Sequence, residues 1–382
     1  MYMECLFYYM HFIAAVLVPF FTEWGGISFS RVLFLNFWYL FCVFLFEVPT
    51  GTVADVFGRK TSMLAGSAVS ILAVLVYSSY PNFYVFLAGE TLWAVAFTLK
   101  SGANEALIYD TLKLIGLEEA SKKVYSRLES FKMAGLLSGA LLGGVLARYG
   151  GLRAPILSML LPFAVSGVFV SMLKEPPAGN GTNKIPYGRA LRLGLDYFAM
   201  HPILRILTID MVSIGSFSFL VIWFYQMLLK EAGVGIVYFG GVHAAMCLAQ
   251  MAVLQSFSQF EKRLGSKRRM LTFTAIVAGT GFIALGFSNS ARVIIPLIIV
   301  VSGFGLSRTP LYISYMNRFI PSDKRATVLS VTSMARNIGI GLANLAAAAI
   351  AGWSVRMMVV ISGVLIVFFA LTTRVKEEHL IG

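Results

Sequence analysis

The chain of 382 residues is strongly apolar, with 58% hydrophobic residues, 13% charged residues and a mean hydropathy of +0.79. Soluble domains are about 45–50% apolar and about 25% charged, so this composition excludes an ordinary soluble enzyme. The net charge of +13 would suit a nucleic-acid-binding protein, but the basic residues fall mostly in alternate polar segments. That alternation is typical of a membrane protein with positive cytoplasmic loops, so we expect no nucleic-acid partner.

The apolar runs predict twelve helical spans, because each crossing of a bilayer needs about 20 apolar residues. No basic segment or small-residue cleavage site precedes the first run, which favours a retained span over a signal peptide. After the sixth run comes a Pro/Gly/Asn-rich linker at 174–184, followed by an amphipathic stretch at 187–198 that predicts a helix on the membrane surface. The predicted spans are 5–21, 32–48, 62–77, 83–109, 128–146, 154–173, 203–228, 237–257, 270–287, 293–315, 326–349 and 357–372.

Six spans on each side of the linker predict an all-α integral membrane protein of two six-helix bundles, built as parallel half-repeats with pseudo-two-fold symmetry. The predicted boundaries are 1–175 for the first bundle, 176–200 for the cytoplasmic linker and 201–382 for the second bundle. The excess of Lys and Arg in alternate loops predicts that both termini are cytoplasmic.

Residues 51–60, between the second and third predicted spans, read Gly-Thr-Val-Ala-Asp-Val-Phe-Gly-Arg-Lys. We predict a polar loop at the bilayer surface. Its two glycines permit a tight turn, its aspartate is a fixed anion, and its Arg-Lys pair can reach lipid phosphate or a carboxylate. The spacing resembles the signature loop between helices 2 and 3 of the major facilitator superfamily of secondary transporters. A degraded copy follows the eighth span at 258–268, with Lys262 at the aspartate position.

This resemblance implies a conformational gate. In similar transporters the signature aspartate docks on the positive start of helix 11, and a helix-4 carboxylate pairs with the signature arginine. Here Ser322 is the expected N-cap of that helix, and either Glu105 or Asp110 is the expected carboxylate. The predicted gate residues are Gly51, Asp55, Gly58, Arg59, Lys60, Glu105, Asp110 and Arg325.

The fifth predicted span carries glycines four residues apart at Gly135, Gly139 and Gly143, followed by Gly144. Residues four apart share one helix face, and a glycine face lets two backbones approach closely. The pattern resembles the span-5 motif of the family's drug/proton antiporters, although Ala140 stands where that motif has proline. An antiporter motif and general helix packing are both consistent with these residues.

Five ionisable residues lie deep within predicted spans, where a charge costs about 2.5–3.5 kcal/mol on insertion scales. The two carboxylates are candidates for carrying a proton, whereas the three cations could bind an anionic substrate or hold a carboxylate. These candidates for substrate binding or proton coupling are Glu90, Lys100, Asp210, Arg308 and Arg336.

The sequence has no nucleophile with a matched base, no paired histidines at ligand spacing and no phosphate-binding P-loop. We therefore expect no enzymatic activity, no cofactor and no metal. The resemblance implies a monomeric transporter in a bacterial or archaeal inner membrane that exports a small organic molecule by proton-coupled alternating access. The alternatives are an uptake symporter or facilitator for a small metabolite, including an anionic one, and a membrane receptor or scaffold that transports nothing.

Overall fold

The computed structural model describes residues 1–117, 120–175, 187–321 and 324–381, and all regular secondary structure in these ranges is helical. Eleven helical segments of the described chain are long and apolar enough to cross a membrane. The prediction of an all-helical membrane protein is therefore confirmed. The segment missing from the eleven is the first predicted span.

The first predicted span is broken rather than continuous. It consists of helix α1 (Tyr2–Tyr8), a 3-10 turn (Phe12–Ala15), the short α2 (Leu17–Pro19) and a π-type turn (Phe20–Trp24). Irregular backbone at membrane depth is tolerated where neighbouring protein surrounds it. The long helices of the first bundle enclose this segment.

The first compact unit comprises Met1–Asn183 together with Gly235–Ala244. In this unit α1 packs against α6 and α8, while α4 packs along most of α5. Its longer helices are α3 (Phe29–Phe57), α4 (Arg59–Ser79), α5 (Phe83–Leu114), α6 (Ser121–Gly150), α7 (Ala154–Ser158) and α8 (Leu160–Ser171).

The second compact unit comprises Lys184–Val234 together with Ala245–Gly382. A cluster of buried hydrophobic side chains lies among α10, α13, α15 and α16. Its helices are α9 (Tyr187–Met200), α10 (Pro202–Phe219), α11 (Val221–Glu231), α12 (Phe239–Leu264), α13 (Lys267–Phe287), α14 (Ala291–Leu306), α15 (Arg308–Met316), α16 (Arg325–Ala351), α17 (Val355–Thr372) and α18 (Glu378–Ile381). The start of α12, up to Ala244, belongs to the first unit.

The polar loop predicted at 51–60 is wrong. Helix α3 continues to Phe57 and α4 begins at Arg59, so the connection is Gly58 alone, with φ of +94°. The copy at 258–268 is equally helical up to Leu264 and turns at Gly265. Hydropathy locates the end of an apolar run, but a helix continues into water until its backbone meets a residue that leaves the helical region.

The amphipathic stretch after the linker forms α9, as predicted, and it packs against α16 of the same unit. Three predicted spans contain short interruptions: the sixth between α7 and α8, the seventh at Leu220, and the tenth at Ser307. Helix α16 begins at Arg325 with Lys324 at its N-cap position. The helix thus begins later than a cap at Ser322 requires, and Ser322 itself lies outside the described residues.

Candidate functional site

A carboxylate from the end of the first bundle caps the start of α4. The Arg59 amide donates to Glu175 Oε1 at 2.6 Å, and the Lys60 amide donates to Glu175 Oε2 at 2.8 Å. First-turn amides have no acceptor within their own helix, and their partial positive charge favours an anion. A Cβ at Gly58 would lie 3.1 Å from both carboxylate oxygens, so the glycine leaves room for this cap.

The Arg59 side chain ties the same end of α4 to α5. Its guanidinium contacts the Asp110 carboxylate and the carbonyl of Ala106. The structure thus brings together the signature arginine and one of its two expected partners. Glu105 forms no ion pair with Arg59; its backbone carbonyl instead accepts from the Tyr125 hydroxyl at 3.1 Å.

The remaining gate residues lie on exposed or half-buried surface at helix ends. Gly51 and Asp55 are exposed in the last turns of α3, and Lys60 is half-buried in the first turn of α4. Arg325 is exposed at the first residue of α16, in the other compact unit. The docking of Asp55 on that helix stays a prediction.

The second bundle repeats the cap at the start of α13. Glu377 accepts hydrogen bonds from the Ser266 hydroxyl at 2.5 Å and from the amides of Lys267 and Arg268, both at 2.9 Å. Partial burial acts to raise the pKa of Glu377, but these three hydrogen bonds and the Lys267 charge outweigh it, so the pKa lies below its ordinary value. Glu377 is therefore ionised at neutral pH.

A buried ion pair lies inside the first bundle, between α1 and α5. Lys100 Nζ is 2.7 Å from Glu4 Oε1, and the two side chains are 3% and 1% exposed. The ammonium also donates to the hydroxyls of Ser67 at 3.2 Å and Ser166 at 3.1 Å. It lies 3.7 Å from the ring centroid of Tyr8, which adds a cation–π contact. Lys100 is thus held by an internal carboxylate.

A second buried ion pair lies inside the second bundle, between α10 and α15. Arg308 is 3.6 Å from the Asp210 carboxylate, and the side chains are 3% and 7% exposed. The guanidinium also donates to Thr274 Oγ1 at 2.6 Å, to the Tyr312 hydroxyl at 3.0 Å and to the carbonyl of Leu271. The Tyr312 hydroxyl in turn donates to Asp210. Asp210 and Arg308 therefore satisfy each other.

Glu90 and Arg336 are the predicted deep charges that join neither pair. Glu90 is buried in α5 beside the Tyr77 side chain of α4. Arg336 is half-buried in α16, and its Nε has no hydrogen-bond partner. Among the described residues, neither forms an ion pair. Of the five candidates, these two keep a charge or proton-binding group that the protein does not already neutralise.

The glycine face of α6 packs against the broken first span. A Cβ at Gly135, Gly139 or Gly143 would collide with backbone atoms of Leu6, of Met10 and His11, or of Phe12. Gly144 points elsewhere in the same unit, toward the carbonyl of Val237. These glycines let backbone approach backbone, which is the packing function of such a face.

Sequence reasoning missed three carboxylates in these networks. Glu4 precedes the first apolar run by one residue and so looked like a surface residue. Glu175 and Glu377 each follow a lysine just beyond the last span of their half. This repeated Lys-Glu was an available signal, because two half-repeats should end alike. The partner of Lys100 had no such signal.

Comparison with known proteins agrees with this architecture. The family model described as Major Facilitator Superfamily matches residues 2–344. The chain is 24% identical over 334 residues to the class G tetracycline resistance protein of Vibrio anguillarum, covering 81% of this chain and 79% of that protein. It is 31% identical over 150 residues to a probable multidrug-efflux transporter of Mycobacterium tuberculosis, covering 36% of this chain and 30% of that protein.

Solved structures with the same fold share little sequence with this chain. The nucleoside transporter NupG superposes with a TM-score of 0.80 at 12% identity, over 98% of this chain and 99% of that one. A D-xylose-proton symporter superposes with a TM-score of 0.76 at 15% identity, over 98% and 97% of the two chains. At such identities the similarity establishes the fold alone.

Proposed function

The chain is a secondary transporter of the major facilitator superfamily, and we propose that it exports a small organic molecule in exchange for protons. The observation that carries this proposal is the relationship to a tetracycline resistance protein over 81% of the chain. Exchange for protons is supported by carboxylates buried at membrane depth in both bundles, since an intramembrane carboxylate is costly unless it is paired or used.

The proposed transport cycle uses alternating access between two bundles, 1–175 and 201–382, joined by a cytoplasmic linker at 176–200. We assign the gate to the signature residues and their neighbours on the cytoplasmic side. Two contacts support this assignment: Arg59 contacts Asp110, and Glu175 caps the helix that Arg59 begins. The resting protein is proposed to be a monomer in the inner membrane, with both termini in the cytoplasm.

The topology can be checked independently of transport. The charge asymmetry of the loops predicts that a cysteine at Lys267 reacts with an impermeant thiol reagent from the cytoplasmic side, and one at Asn289 from outside. Right-side-out and inverted vesicles provide the two orientations. Labelling of both positions from one side would contradict the topology.

A second candidate function is the transport of an organic anion. It is favoured by Arg336, a half-buried cation whose Nε has no partner, because arginine binds carboxylates through two parallel hydrogen bonds. Lys100 and Arg308 are weaker candidates for binding a substrate anion, because each already has an internal carboxylate.

The test is a transport assay with the purified full chain in proteoliposomes. Tetracycline, ethidium and benzoate serve as a neutral-to-zwitterionic, a cationic and an anionic probe. Export coupled to protons predicts that an imposed pH gradient accelerates movement of the probe, and that collapsing the gradient with an ionophore abolishes the acceleration. Probe movement that ignores the gradient would contradict proton coupling. Movement of benzoate alone, lost in Arg336→Gln, would favour the anion transporter.

A further inference from the structure

The segment that follows α17 folds back onto the second bundle. Residues 373–381, which we call the strap, include the four-residue helix α18. Leu380 of the strap is fully buried, with 0% exposure, and it belongs to the hydrophobic cluster that contains Met270 of α13 and Met316 of α15. The next residue, Ile381, is 56% exposed. The strap therefore has one face in the apolar interior of the bundle and one face outside it.

Polar contacts tie the strap to the ends of two helices. Glu377 caps the start of α13, as described above. The Arg318 guanidinium, just beyond the end of α15, donates to the carbonyls of Leu380 at 3.2 Å and Ile381 at 2.7 Å. Lys267 Nζ also donates to the Leu380 carbonyl, at 3.4 Å, and such cations satisfy the last carbonyls of a helical turn, which lack amide partners. The strap thus connects the start of α13 to the end of α15.

The helix α15, which the strap holds at its end, is short and separate. It has nine residues, and a break at Ser307 divides it from α14. The Ser307 hydroxyl is buried without a hydrogen-bond partner among the described residues, so this side chain does not fix the break. Residues at the ends of helices can absorb the backbone changes of a hinge. Because Arg308 begins α15 and Arg318 follows its end, a movement of α15 changes the ion pair and the strap contact together.

A small cavity adjoins both the strap and the buried ion pair of the second bundle. Its volume is about 10 Å³, which is about what a single water molecule needs. The pair of Asp210 and Arg308 forms one part of its wall, and Val375 of the strap forms another. Arg268, an exposed residue of α13, also lines the cavity, which therefore lies close to the surface of the bundle. The strap is thus part of the wall that limits water at the ion pair.

We propose that the strap is a lid on the Asp210–Arg308 pair. When docked, it holds α15 beside α13 and leaves room for no more than one water at the pair. When undocked, in another conformation of the transport cycle, it frees the end of α15 and admits further water to the pair. Water around two charges weakens their attraction, so undocking of the strap and movement of α15 favour each other. The lid acts in the same way whichever substrate or ion the protein carries.

Hydrogen exchange of the purified full chain in lipid nanodiscs, read by mass spectrometry, tests the docking. Leu380→Asp places a carboxylate at a fully buried position of the strap, whereas Ile381→Asp places it at an exposed one. We expect the amides of the strap and of α15 to exchange about tenfold faster in Leu380→Asp and at the wild-type rate in Ile381→Asp. Wild-type protection of the strap in Leu380→Asp, or of α15 once the strap has lost its protection, overturns the proposal.

Thiol labelling tests the access of water. Thr272 lines the cavity, so a cysteine at this position, in a chain whose native cysteines are replaced by alanine, reports on its opening. We expect a small methanethiosulfonate reagent to label Thr272→Cys slowly in this parent chain, about tenfold faster with Leu380→Asp, and no faster with Ile381→Asp. A strap that only stabilises the fold would lower the unfolding temperature and leave the labelling rate unchanged, and that result contradicts a lid.

A second pair of variants covers the case in which Leu380→Asp does not fold. Arg318→Gln keeps the buried leucine and removes the two hydrogen bonds from Arg318 to the strap carbonyls. Arg269→Gln, at an exposed position of α13, is the matched control. Labelling of Thr272→Cys should rise several-fold in Arg318→Gln and stay at the parent rate in Arg269→Gln. Equal labelling in these two variants overturns the lid.

Discussion

The two bundles hold their buried ion pairs in different ways. In the second bundle, Arg308 donates to two groups of α13 and to the Tyr312 hydroxyl, and that hydroxyl donates to Asp210. In the first bundle, Lys100 donates to two serine hydroxyls besides contacting Glu4, and its ammonium lies over the Tyr8 ring. Each carboxylate makes its contacts through one oxygen. Arg308 therefore connects more hydrogen-bonding groups than Lys100 does, including a backbone carbonyl, and its loss should destabilise the protein more.

The largest expected effect is the loss of the Asp210–Arg308 pair. Arg308→Met removes the partner of a buried carboxylate and leaves Leu271, Thr274 and Tyr312 without their donor, so we expect a loss of about 3–5 kcal/mol of stability. Thermal unfolding of the detergent-solubilised protein measures it. Arg205→Met, on an exposed face of α10, is the matched control and should change little. Comparable stability of the two variants would mean that the second network is not structural.

Removal of the cation from the first pair should cost less than removal of Arg308. Lys100→Met leaves two serine hydroxyls without their Lys100 donor, and Glu4 keeps the Ser166 hydroxyl as a donor. We expect a loss of about 2–3 kcal/mol. Thermal unfolding measured beside Arg308→Met checks this order. A loss in Lys100→Met that equals or exceeds the loss in Arg308→Met would contradict it.

The two glycines at the turns before α4 and α13 should also differ. Gly58 has φ of +94° and ψ of 154°, a conformation that is essentially restricted to glycine, and its cap leaves little space for a Cβ. Gly265 has φ of +69°, and nothing lies within 4 Å of an added Cβ. We expect Gly58→Ala to cost about 2 kcal/mol and Gly265→Ala about 1 kcal/mol. Unfolding temperatures in the reverse order would contradict this assignment of strain.

The carboxylate caps should contribute about 1 kcal/mol each. Glu377→Gln removes the charged acceptor at the start of α13, whereas Glu378→Gln, its exposed neighbour, is the control. Because the pKa of Glu377 is lowered in the folded protein, its contribution is complete above the ordinary pKa of a glutamate. The contribution is lost as the pH falls through the lowered value. A difference between the two variants that does not shrink in acid would contradict this account of the cap.

The smallest expected effect on stability concerns the predicted docking of Asp55 on the start of α16. A charge at a helix end contributes about 0.3–2 kcal/mol, and conformational states of a transporter differ by only a few kcal/mol. Asp55→Asn should therefore leave the fold intact, shift the population toward the inward-open state and slow turnover more than it weakens substrate binding. Distances between spin labels on the cytoplasmic ends of α5 and α15 measure the shift.

The second half of the chain provides a control variant for Asp55→Asn. Lys262 occupies the position that corresponds to Asp55 in the degraded copy of the signature. Lys262→Gln should leave the distances unchanged. Distances and turnover that stay normal in Asp55→Asn would make the signature segment a membrane anchor rather than a gate.

Much of the architecture could be predicted from the chain alone. The apolar runs predicted a helical membrane protein, and eleven of the predicted spans coincide with helices of membrane-crossing length in the described residues. The signature segment indicated the family. The same reasoning named Glu105 and Asp110 as the candidate partners of Arg59, and the structure pairs Arg59 with Asp110. It failed at the turn itself, which it predicted as a polar loop instead of one glycine between helices.

Hydropathy and residue spacing are local properties, so the sequence by itself determined a helical membrane protein and which charges lie within its apolar runs. Which charges meet depends on the rotation and packing of helices that are distant in the chain, and only the tertiary structure decided it. Glu4 illustrates the difference. By sequence it stands outside the first apolar run, yet α1, α5 and α8 enclose it with Lys100 and Ser166. A buried charge requires a partner, and the fold determines which partner is within reach.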